Sequence, residues 1–132
     1  MHRELDNIIE HICEKDPRYE RDSYEFVLEA LTFTQKKYRR LRHVTGEELL
    51  EGIREFALLQ FGPLALAVLT HWGIKTTEDF GFIVFNLVQN KMLSKTEQDT
   101  IDSFKSGYDF KKVFRDDYHK QLEKRISKMK TG

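Results

Sequence analysis

The residues that could carry chemistry are few and scattered. Cys13 is the only thiol, and a thiol nucleophile needs a base beside it. His11 stands two positions away and so falls on a different helix face. Cys13 instead shares the apolar spacing of Leu5, Ile8, Ile9 and Ile12, which reads as a small buried hydrophobe. The histidines are His2, His11, His43, His71 and His119, and no two are four apart, the spacing that puts two rings on one helix face. Asp116 and His119 are three apart, but a di-metal bundle needs such a pair on each of two helices. Asp79, Phe80 and Gly81 spell a kinase-like triplet with no accompanying Gly-rich loop or strand lysine, a chance match. No metal, no cofactor and no enzyme activity are expected. His71 and Trp72, at the end of an apolar helix, are the candidate pocket pair.

The other candidate is electrostatic. Lys36, Lys37, Arg39, Arg40 and Arg42 place five cations in seven residues, interleaved with Tyr38 and followed by His43. Cations at a helix C-terminus favour the macrodipole by about 0.3–1 kcal/mol each. Five exceed what that end needs, so this run is a candidate surface for a protein partner or a nucleic-acid backbone. The whole chain carries 22 basic and 22 acidic residues. Neutrality argues against a dedicated polyanion binder. Acid collects at Glu47, Glu48, Glu51 and Glu55, and a homodimer could pair that face with the basic run in a two-fold manner. A second basic stretch, 120–130, holds Lys120, Lys124, Arg125, Lys128 and Lys130 against Glu123.

The elements that position these residues are helices. A chain of 132 residues is one domain, expected as an N-terminal helix and loop over 1–21, a core over 22–114 and a C-terminal helix with a frayed tail over 115–132. Residues 4–14 form an amphipathic helix. Asp22 and Glu25 have the spacing of a capping box opening an aromatic helix, and Thr45 and Glu48 repeat it. Gly62 stops the second of these helices, and Pro63 starts "PLALAVLTHW". That helix is apolar nearly all round, so it is predicted to be central and buried. Thr76 or Thr77 caps the next, in which Phe82 and Phe85 lie beside the main stripe as a candidate exposed patch. Gly52 and Gly81 inside helices point to close backbone approach. Ser94 and Glu97 suggest a short helix over 95–104, the rival being a β-hairpin. Asp109 caps a last helix along Phe110, Val113, Phe114, Tyr118, Leu122 and Ile126.

The expected fold is therefore all-α: seven helices in one compact domain. Helices 46–61, 63–72 and 77–91, followed by an uncertain segment, also have the order of a winged-helix unit. Its reader helix would offer only Gln89, Asn90 and Lys91 to base edges, and its wing would be acidic, which phosphates repel. The longest apolar run is broken at Gly62-Pro63, so no membrane span is expected. One cysteine and no N-terminal apolar signal fit a reducing, cytoplasmic setting.

The phrases "YEFVLEALTFTQ", "RHVTGEELLEGIREFALLQFGPLALAVLTHWGI", "TEDFGFIVFNLV" and "LSKTEQD…YDF" resemble a family of short uncharacterised bacterial proteins, mainly planctomycete and verrucomicrobial, over roughly residues 22 to 114. The resemblance implies a stand-alone cytoplasmic bacterial protein and brings no activity, cofactor or partner. The functional expectation is a non-catalytic protein-interaction or assembly module, ahead of a winged-helix-like nucleic-acid regulator.

Overall fold

The computed structural model describes residues 2–39, 44–93, 101–105 and 107–131. Every regular element among them is helical: α1 (His2–Lys15), α2 (Arg21–Tyr38), α3 (Gly46–Phe61), α4 (Ala65–His71), α5 (Thr77–Gln89) and α6 (Tyr118–Thr131). Short 3-10 turns cover Gly62–Leu64 and Ile101–Phe104, and a π-helical stretch, Lys112–Asp117, runs into α6.

The core is built around α2, which packs on α1, α3 and α5. Tyr24, Phe26, Val27 and Ala30 of α2 meet Ile53 and Ala57 of α3 and Phe80, Ile83 and Leu87 of α5 in one buried cluster. The α2–α3 pair closes tightly because Gly52 faces Thr34. A Cβ at 52 would overlap the Thr34 hydroxyl and stand 2.8 Å from its Cβ. The hydroxyl is held, since it donates to the Ala30 carbonyl at 2.7 Å.

Punctuation follows local chemistry. Thr45 accepts the Glu48 N–H at 3.0 Å, and the Glu48 carboxylate accepts the Thr45 N–H at 2.8 Å, a complete capping box. Asp109 accepts the N–H groups of Lys111 and Lys112, opening the last helical run. Gly62 ends α3 at φ +51°, and Gly73 ends α4 at φ +88°. Asp22 and Glu25 do not form the expected box. The helix starts two residues earlier, at Arg21 with Glu20 as its N-cap, and Ser23 instead donates its hydroxyl to the Glu20 carbonyl at 2.6 Å.

Two expectations change more deeply. Among the described residues there is no strand, and the winged-helix order is not supported. Residues 94–100, part of the expected helix or hairpin, lie outside the described residues. Residues 101–104 form a 3-10 turn whose Phe104 is buried against Gly46 of α3 and Gly81 of α5. Gly81 therefore admits a ring and not a crossing helix. Thr77 ties the same turn down by donating to the Phe104 carbonyl at 2.5 Å.

The second change concerns α4. Its expected central burial is not observed: only Ala65 and Leu69 are buried, while Leu64 and Ala67 are exposed. Seven residues after a broken helix give too little length for α4 to be surrounded. It docks by one face, through Trp72 against Phe26 and Phe61 at ring separations of 5.4 and 5.6 Å.

Candidate interaction surface

The most apolar stretch of the chain lies at the surface. The helical run Gly46–His71, bent at Gly62-Pro63, reaches a mean hydropathy of 1.4 over 18 residues, yet only 28% of that window is buried. By length and composition alone this run could cross a membrane. The Gly62 turn divides it, and the charged residues Glu47, Glu48, Glu51, Arg54 and Glu55 occupy its first half. The result is an elbow: Leu59 is 71% exposed and Leu64 is 63% exposed, while Leu58, Phe61 and Leu66 between and around them in sequence are half-buried against the core. Leaving large apolar side chains in water forgoes roughly 1.5–3 kcal/mol of burial each. Exposed apolar surface concentrated in one short segment is a mark of binding surfaces.

Acid leads into the elbow. Glu47, Glu51, Glu55 and Leu59 recur every four residues and so share one face of α3. Glu51 pairs with Arg54, three residues on. Glu55 receives Lys37 Nζ from α2 at 2.5 Å.

That last pair bears on the basic run. Lys37 spends its charge inside the chain, on the very acidic face that a two-fold dimer was expected to bring to it. Lys36 and Arg39 are exposed and Tyr38 is half-buried. Arg39 closes α2 in the left-handed conformation, φ 54°, donating its N–H back to Lys36. Arg40, Arg42 and His43 lie outside the described residues.

The expected pocket pair separates. Trp72 is a packing residue. His71 is exposed and borders an open groove of about 520 Å³, shared with Pro63, Thr70, Phe114, Arg115 and His119. A second groove of about 480 Å³ lies on the other side of Leu66 and Thr70, between Lys75 and Lys111. Sequence spacing could not bring His71 and His119 together, because they are 48 positions apart and meet only through the packing of the π-helical stretch on α4. Among the described residues, no group of three or more histidine, cysteine or acidic side chains gathers around one point. Partial burial, chiefly, raises the Cys13 thiol, whose sulfur lies 3.8 Å from the Tyr19 carbonyl. A raised thiol is a poor nucleophile at neutral pH.

Phe82 and Phe85 differ from each other. Phe85 is exposed, whereas the Arg18 guanidinium covers Phe82 at 4.5 Å from the ring centre. The apolar stripe expected along the last helix divides: Phe110, Val113 and Phe114 are buried, whereas its α6 part is not. Every described side chain from His119 to Met129 is exposed, including Leu122, Ile126 and Met129.

No family model, no curated protein and no solved structure matches this chain.

Proposed function

We propose that this protein is a non-catalytic interaction or assembly module whose docking surface is the α3–α4 elbow. One observation carries the reading: Leu59 and Leu64, in the most apolar segment of the chain, stand in water at 71% and 63% exposure. A partner that covers them recovers the hydrophobic free energy that folding leaves unused. The single half-buried thiol and the resemblance to small bacterial proteins fit a cytoplasmic setting. Nucleic-acid binding through Lys36 and Arg39 is the weaker reading, because Lys37 is already engaged by Glu55.

The test uses the full chain as bait in native lysate, with and without nuclease, alongside a measurement of its own self-association. Leu59→Glu/Leu64→Glu should abolish protein capture or self-association, whether or not nuclease is present. Lys36→Glu/Arg39→Glu should change neither. If the elbow variant behaves as wild type in both measurements, the reading fails. If capture is nuclease-sensitive and lost in the basic variant, the nucleic-acid reading replaces it.

A further inference from the structure

Resting on that reading, we infer that the occupant of the elbow is α6 of a second copy of this chain, in a two-fold dimer. Two apolar surfaces lie open on one molecule. The first is the elbow. The second is the stripe Leu122, Ile126 and Met129, spaced four and three residues apart, which is the seam of a helix that packs on another helix. They are 42%, 44% and 80% exposed.

Charge selects the pairing. Residues 118–131 contain Lys120, Lys124, Arg125, Lys128 and Lys130 against Glu123 alone. Since the chain has 22 of each sign, the remaining residues hold 17 basic against 21 acidic. The helix is thus complementary to the body that it leaves and repelled by a copy of itself. A seam of α6 against α6 would bring together two helices that each carry four net positive charges. The elbow, in contrast, is approached along Glu47, Glu48, Glu51 and Glu55, and with Lys37 and Arg54 already paired to this flank it keeps an excess of two negative charges, so a basic helix laid over Leu59 and Leu64 meets acid beside it.

Geometry favours exchange between copies. The hydroxyl of Tyr118, the first residue of α6, reaches Gly62 at the bend, so α6 starts one tyrosine side chain away from the elbow. A helix of 14 residues is about 21 Å long. One such face falls short of the roughly 1,200–2,000 Å² that stable interfaces bury. A two-fold axis doubles it, each α6 covering the other copy's elbow. An anionic membrane is the weaker occupant. The stripe holds Leu122, Ile126 and Met129, and lacks the aromatic Trp and Phe that join Leu in anchoring interfacial helices.

The experiment is light scattering of the full chain after gel filtration, from low to high micromolar concentration, with vesicles of anionic and neutral lipid as a second arm. The wild type should reach twice 15.8 kDa. Ile126→Glu and Leu64→Glu, both at exposed positions, should keep the helical circular dichroism and each weaken the dimer by about tenfold or more. In a Cys13→Ala background, mixing Leu59→Cys with Ile126→Cys should yield a disulfide between the two variants. A monomeric wild type, a dimer indifferent to both glutamates, or a dimer without that cross-link overturns the inference. Vesicle binding by a monomer, lost in Ile126→Glu, overturns it in favour of a membrane. Lysate capture that still depends on Leu59 and Leu64 in a monomeric chain would sink the dimer while leaving the interaction-module reading intact.

Discussion

Thr34 fills the notch that Gly52 leaves on α3, and its hydroxyl is fixed there by the Ala30 carbonyl at 2.7 Å. The contact joins the two helices that organise the core. It also ties a weak helix former on each side to a purpose, since a glycine costs about 1 kcal/mol within a helix unless something needs its bare face.

Gly52→Ala is therefore expected to destabilise, although alanine favours helix. Overpacking of this kind costs about 1–3 kcal/mol. For a domain of this size that lowers the melting temperature by roughly 3–5 °C per kcal/mol. Thr34→Ala in the Gly52→Ala background removes the hydroxyl and recovers part of the loss. Thermal unfolding of the two variants measures it. A Gly52→Ala protein as stable as the parent would mean that the helices separate freely.

Arg39 offers an opposite expectation. It ends α2 at φ 54°, where an L side chain is strained and glycine is not. Arg39→Gly should stabilise by about 0.5–1 kcal/mol, despite removing a cation from the helix C-terminus. Urea unfolding decides the sign. A loss of stability would show that the guanidinium makes a contact worth more than the strain.

Much of this architecture is legible along the chain, and the reasons are local. The Thr45–Glu48 box, the Asp109 cap and the Gly62-Pro63 break each involve residues within four positions, and each forms as spaced. The features that pattern reading loses are those set by distant partners. Phe104 is a core plug because glycines at 46 and 81 make room for it. Lys37 is neutralised by Glu55, 18 residues on, across the α2–α3 crossing. The case of α4 is different in kind. An all-apolar helix buried in a core and one left open for a partner have the same composition, so hydropathy alone cannot tell them apart. Of the candidate surface, the basic run is visible in sequence, whereas the elbow emerges only from exposure.

The C-terminal helix gives a stability prediction independent of its partner. From His119 to Met129 its described side chains are exposed, so little of the core rests on it. A chain ending after His119, compared below the dimer's dissociation constant, should unfold cooperatively with a melting temperature within about 3 °C of the full chain, a change of under about 1 kcal/mol. A large drop would mean that α6 folds back onto its own body.

Acid sensitivity should trace to Asp16. Its carboxylate receives Arg18 through both oxygens, at 2.8 and 2.7 Å, and the Asn86 amide from α5 at 2.9 Å. That amide also lies 3.1 Å from the Tyr24 hydroxyl, so the turn after α1 is tied to α2 and α5 by one small network. Chiefly the Arg18 hydrogen bond, and then the Asn86 amide, hold the carboxyl well below the usual range, against the upward push of partial burial. A depressed folded pKa contributes stability above the unfolded value of about 3.9, and that contribution is lost as pH falls toward the folded value. Asp16→Asn should thus cost about 1–2 kcal/mol at pH 6, the half-exposed Arg18 keeping the figure modest. The gap between parent and variant should narrow steadily below about pH 4. Urea midpoints measured between pH 6 and pH 3 for both proteins follow it directly. A gap that stays constant across that range would remove Asp16 as the acid-sensitive group and leave its role to neutral hydrogen bonding alone.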